Sequence, residues 1–200
     1  MPSAGEILES LSYISQAYSF YALVWHLIIV IFFVSLIKFK PTNRLFSSLL
    51  SLPLFSVSIF AWLVENPFNG TVFLIFALLL LFFGILNSKE TISSGPLWSV
   101  ITGSVIVIFG LIYPHFLENG AFFSYLYSAP TCLIPCPTLS LVIGLSIIFN
   151  GFLSRKWSVS LLIIGIFYGI FGVFRLGVTL DIFLLFADSI LLITIVKMER

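Results

Sequence analysis

Asn69–Leu86 reads NGTVFLIFALLLLFFGIL, a stretch without one ionisable side chain. A bilayer core is crossed by about 20 apolar residues in a helix, and this run has that length and character. Its neighbours make the same demand for lipid as solvent. Of 200 residues, 60% are hydrophobic and only 8% are charged, with a mean hydropathy of +1.20. Ordinary soluble domains carry about 25% charged residues. A water-soluble fold of this size cannot hide so much apolar surface. The net charge of +1 leaves no basic face for nucleic acid. No low-complexity tract or long linker interrupts the chain, which reads as one transmembrane domain over residues 1–200. The expected location is a cell membrane, with the lipid bilayer as the first partner.

Working outward, seven stretches qualify as spans: Tyr18–Ile37, Leu45–Val64, Phe68–Asn87, Pro96–Pro114, Leu133–Leu153, Trp157–Phe174 and Val178–Met198. The breaks KFKPTNR, ENPFNG, NSKETISSG and SRK are polar, charged or turn-like. Lysine and arginine stay on the cytoplasmic side of a membrane protein. Lys38, Lys40, Arg44, Lys89, Arg155, Lys156, Lys197 and Arg200 all fall inside if the N-terminus is outside. Arg175 is then the one exception among nine. The expected fold is thus an all-α bundle of seven transmembrane helices, N-terminus outside and C-terminus cytoplasmic. Ahead of it, Ser3 and Glu6 have capping-box spacing, and Ile7, Leu8, Leu11 and Ile14 share one helical face. That pattern predicts a short interfacial helix rather than a secretory signal.

Ionisable groups within spans are costly and need a reason. Asp188 lies near the middle of the last span, and Asp181 sits about two turns outward on the same face. Arg175 ends the sixth span and is placed to pair with Asp181. For Asp188 two readings stand: a proton relay or cation site, or a structural carboxyl bonded to Ser or Tyr168. His26 lies in the first span, about two turns below its outer end, and His115 at the outer end of the fourth. Their different depths argue against a bis-histidine haem. The last span has its only lysine, Lys197, at the cytoplasmic end, which excludes a retinal Schiff base. Asn150 is expected to bond to a neighbouring helix. The serines around Pro53 are expected to let helices approach closely.

SAPTCLIPCPTLSLV, Ser128–Val142, holds both cysteines of the chain. Pro137 suits the first position of the fifth span, which places Cys136 at the cap, near the positive end of the helix dipole. Cys132 lies four residues back. Three readings remain open: two separate structural residues, a disulfide, or a soft-metal site for copper or another thiophilic ion. His26 or His115 would add a ligand to such a site.

Four segments resemble a family of prokaryotic polytopic membrane proteins of unknown function: ENPFNGTVFLIFALLLLFFGIL, VIVIFGLIYPHFLENG, APTCLIPCPTLSLVIGL and GIFGVFRLGVTLDIFLLFADSIL. The most specific feature is Ala-Pro-Thr followed by Pro-Cys-Pro-Thr. The resemblance picks out Asn69, Tyr113, Pro114, Pro135, Cys136, Pro137, Thr138, Gly177 and Asp181. It departs from the family at Trp25-His26, where Trp-Pro is usual. Cys132 is an addition outside the family motif, so the resemblance implies no shared disulfide. It implies a fold neighbourhood and a site, but no activity.

No Gly-rich phosphate loop, metalloprotease helix or Ser-His-Asp set is legible, so the sequence does not argue for an enzyme. Small size, Phe-rich faces and short loops favour an accessory or structural subunit of a larger membrane complex, a respiratory one among the candidates. Other membrane-protein subunits are the partners this reading expects. The alternative is a small transporter or binding protein for a metal ion or other small solute, using an outward-facing Cys/Asp/His cluster.

Overall fold

The computed structural model describes residues 3–86, 90–116, 122–151 and 154–198. Asn87 and Lys89 of the third loop, the Leu117–Ala121 part of the fourth, Leu153 and Arg200 lie outside these residues. The described residues are all-α, apart from an isolated bridge between Thr42 and Thr91. In chain order the helices are α1 (Ala4–Ala17), α2 (Ser19–Lys38), α3 (Asn43–Leu63), α4 (Pro67–Leu86) and α5 (Leu97–Ile112). A short α6 (Tyr125–Ser128), then α7 (Pro135–Ile148), α8 (Arg155–Ile170) and α9 (Ile182–Lys197) follow. A π-helical turn, Phe171–Arg175, extends α8, and a 3₁₀ turn, Thr179–Asp181, leads into α9.

Five segments are long and apolar enough to cross a membrane: Ser19–Leu36, Asn43–Leu63, Pro67–Leu86, Arg155–Arg175 and Thr179–Lys197. α5 and α7 are apolar but shorter, at 16 and 14 residues. Phe20, Ile31, Leu97 and Phe174 are each more than two thirds exposed, an outer surface suited to lipid rather than water. The capping box of α1 forms as expected: Glu6 N–H donates to Ser3 Oγ, and Ser3 N–H donates back to Glu6 Oε2 at 2.6 Å. Leu11 and Ile14 of α1 turn inward and are buried.

α3 and α4 form a tight hairpin, and small residues explain the close approach. A Cβ on Gly84 would collide with Ser47, while Ser58 Oγ donates to the Gly70 carbonyl at 2.7 Å. Asn66 Oδ1 accepts the Asn69 N–H and caps the start of α4 beside Pro67, whose missing N–H is no loss there. α7 is the central element, packed on α5, α8, α9 and α3. A Cβ on Gly144 would stand 2.8 Å from Gly103 O and 2.9 Å from Val107 N, so α5 and α7 meet backbone to backbone.

α7 ends differently from the expectation. Among the described residues Asn150 makes no side-chain bond to a neighbouring helix; it takes a left-handed conformation (φ 52°) just past the helix end, and Gly151 N–H closes the turn on Ser146 O at 2.7 Å. Asparagine tolerates that region because its short polar side chain bonds locally.

Candidate functional site

The head of α7 is built from irregular backbone buried in protein. Ala129, Thr131, Cys132, Leu133 and Ile134 are each at most 1% exposed. At membrane depth such backbone persists only where protein satisfies its polar groups. Leu133 and Ile134 N–H donate to Pro130 O, and Thr131 Oγ1 donates to Gly110 O on α5. Thr138 Oγ1 accepts the Cys132 N–H at 2.8 Å and donates to Ile134 O at 2.7 Å. Thr138 thus ties the loop to the helix it precedes. Cys132 pays for the tight turn with φ 68°, a left-handed conformation costing about 1–2 kcal/mol outside glycine.

The helix starts two residues before the expected position. Ile134 is the N-cap, and Pro135, Cys136 and Pro137 all lie in the first turn. The first N–H groups of a helix have no intrahelical acceptor, so both prolines are tolerated there. Cys136 is therefore not the cap; its side chain leaves the first turn toward α9.

There it meets Asp181. The Cys136 thiol donates to Asp181 Oδ2 at 3.2 Å, and the Tyr113 hydroxyl donates to Oδ1 at 2.7 Å. Asp181 is 2% exposed and Tyr113 1%. The π-turn makes room for the carboxylate: a Cβ on Gly172 would collide with Asp181 Oδ2. Val178 N–H donates to Gly172 O at 2.9 Å, and Gly177 turns the chain with φ 72°, a conformation natural to glycine. π-turns of this kind are frequent at functional sites.

The trio forms the floor of a cavity of about 400 Å³. Phe68, Phe116, Phe167, Tyr168 and Phe171 supply aromatic wall, and Ile7 and Leu11 of α1 line it as well. Phe167 stacks on Phe171, with ring centroids 5.9 Å apart. Tyr168 donates its hydroxyl to Asn69 Oδ1 at 2.7 Å, so both residues are fixed against the wall. Arg175 also lines the cavity but is exposed.

Several expectations are corrected by this geometry. Arg175 does not pair with Asp181; among the described residues the carboxylate is satisfied by Tyr113 and Cys136, brought by distant segments. Tyr168 does not serve Asp188, because its hydroxyl is given to Asn69. Asp188 is 1% exposed, and both its oxygens lack a hydrogen-bond partner among the described residues. It is pressed against Gly165 of α8, where a Cβ would collide with its carboxylate, and it does not line the cavity.

Cys132 and Cys136 are free thiols, not a disulfide. The four residues read as a soft-metal site are not brought together among the described residues. Among the described residues no three His, Cys, Asp or Glu side chains converge as metal ligands. Cys132 is sealed in the core, and Cys136 is engaged with Asp181. His26 Nδ1 lies 2.7 Å from Ala22 O and Nε2 2.8 Å from Leu111 O, so neither ring nitrogen faces space for a metal. His115 lies beside Phe116, ring centroids 4.0 Å apart, and desolvation lowers its pKa.

Asn69, Tyr113, Pro135, Cys136 and Asp181, all among the residues the resemblance picks out, line this one cavity. The aromatic wall, Gly172 and the π-turn were missed. A run of Phe in a span reads as lipid-facing bulk, and nothing in Phe171–Arg175 marks the change of helix type. Compared with known proteins, the chain matches no family model, no curated protein and no solved structure.

Proposed function

We propose that this is a seven-span membrane protein that binds a small solute in the cavity at the head of α7. Five long apolar helices and two shorter ones support the span count, and the lysine and arginine distribution supports an outside N-terminus. On that reading α1 lies along the outer surface and the cavity opens outward. The family with the Pro-Cys-Pro-Thr motif would share the pocket's frame, since Pro135–Thr138 shape the first turn of α7.

The observation that carries the proposal is the polar floor, Tyr113–Asp181–Cys136, beneath an apolar cavity of about 400 Å³. Small-molecule sites are concave, mostly apolar, and carry a few convergent polar groups. A buried carboxylate that lines a cavity favours binding over the scaffold reading.

The test is the size dependence of thiol modification in detergent, located by peptide mass mapping. Methyl methanethiosulfonate should modify Cys136 and spare Cys132. A maleimide bearing a long polyethylene glycol chain should modify neither. An inert Cys136, or equal reaction with both reagents, would sink the proposal.

A further inference from the structure

Asp181 is a buried carboxylate whose two donors are both neutral. The Tyr113 phenol and the Cys136 thiol orient it, but neither supplies a positive charge. Among the described residues no lysine, arginine or histidine pairs with it, and the one cation among them that lines the same cavity, Arg175, is exposed. A charge taken out of water is retained where something compensates it. The cavity that Asp181 lines is also lined by Phe116, Phe167, Tyr168 and Phe171, and aromatic faces attract cations through their quadrupole. Each hydroxyl or carboxyl oxygen on the floor still has a lone pair to offer, while an anion would be repelled by Asp181.

Resting on the solute-binding reading, we infer that the cavity takes an organic ammonium ion, with its charge at Asp181 and its alkyl or aryl groups against the aromatic wall. Carboxylate and aromatic rings act together here: the rings accept the apolar skin of the ion, and the carboxylate supplies the opposite charge in a place where water screens it little. Arg175, being exposed, is screened more strongly than the buried carboxylate. Gly172 belongs to the recognition, because a Cβ there would collide with the Asp181 carboxylate.

The experiment compares two probes of one shape: phenyltrimethylammonium, and tert-butylbenzene, which has carbon in place of the charged nitrogen. The full chain in a maltoside detergent is treated with methyl methanethiosulfonate, and the rate at Cys136 is read with and without each probe. Phenyltrimethylammonium should slow modification by about tenfold or more, and tert-butylbenzene by less than about twofold. In Asp181→Asn the protection by the cation should disappear. Equal protection by both probes would overturn the ammonium inference while leaving a solute cavity in place. Protection by neither, with Cys136 reactive, would also overturn it. Persistence of cation protection in a folded Asp181→Asn would remove the carboxylate as the counter-charge. A Cys136 that does not react even without probe would instead overturn the cavity reading itself. The decisive comparison uses the unaltered chain, so it holds even if the variant fails to fold.

Discussion

In α7 every residue from Pro137 to Ile148 is buried, whereas only 17% of the Ser19–Leu36 window of α2 is buried within the protein. Both helices are apolar and uncharged over most of their length. The difference lies in what approaches them. α7 carries Gly144 and small serines, so α5 comes to backbone contact and the helix becomes the axis of the bundle. α2 carries Phe, Leu, Ile and Val around most of its circumference, and most of these side chains are exposed on the surface of the bundle. It is fastened by polar clamps: Trp25 Nε1–H donates to Ser56 Oγ at 2.9 Å, and the His26 ring meets Leu111 O at 2.8 Å. Lipid is as apolar as leucine, so hydrophobicity alone does not dock a helix in a bilayer; close packing or hydrogen bonds must. The same contrast explains where the cavity can form. Irregular backbone and a buried carboxylate need a surround of protein, which the head of α7 has and α2 lacks.

The strongest way to break the comparison is to crowd each helix in turn. Gly144→Leu should cost about 3 kcal/mol or more, because the new side chain meets the backbone of Gly103 and Val107 rather than a movable side chain. Ile31→Ala, on the exposed face of α2, should change stability by less than about 0.5 kcal/mol. Unfolding in mixed micelles measures both. Similar losses would mean that α2 packs on protein as α7 does.

A smaller effect sharpens the account of the clamps. His26→Ala leaves Leu111 O at the end of α5 without its partner and should cost about 1–2 kcal/mol. Hydrogen exchange should then quicken along α2 while α7 stays protected. Loss of protection in α7 to the same extent would show that the two helices unfold as one unit, against the comparison.

The smallest expected effect is a pH dependence at the α1 end of the bundle. Burial lowers the pKa of His115, so folding favours its neutral form. The unfolded chain takes up a proton at about pH 6.5, before the folded one does. Its contribution to stability is therefore present above about pH 6.5 and falls away as the medium is acidified toward the lower folded value. The thermal midpoint should drop over that window, and His115→Gln should flatten the drop. An unchanged slope in His115→Gln would assign the pH dependence elsewhere.

Five of the seven expected spans were legible because length and hydropathy are local properties, whereas α5 and α7 are shorter than expected. The capping box of α1 was legible because Ser3 and Glu6 sit three residues apart. The start of α7 was misjudged by two residues because a first turn accepts proline at more than one position. The partner of Asp181 was misjudged for a different reason. Arg175 is near in sequence and opposite in charge, whereas Tyr113 comes from 68 residues away and Cys136 from 45. Only the packing of α5, α7 and α9 brings those three together. Asn69 and Tyr168, 99 residues apart, were likewise individually visible but not visibly a pair. The missing link was tertiary geometry, which periodicity does not carry.

The central claim is that the head of α7 lines a cavity open to the outside while the loop before it is sealed. Sealed vesicles of known orientation, treated with a membrane-impermeant cationic methanethiosulfonate, test it most directly. Modification of Cys136 from the outer face, with Cys132 untouched until the protein is unfolded, is the predicted result. Modification of Cys136 only from the cytoplasmic face, or equal labelling of both cysteines in the folded protein, would contradict it.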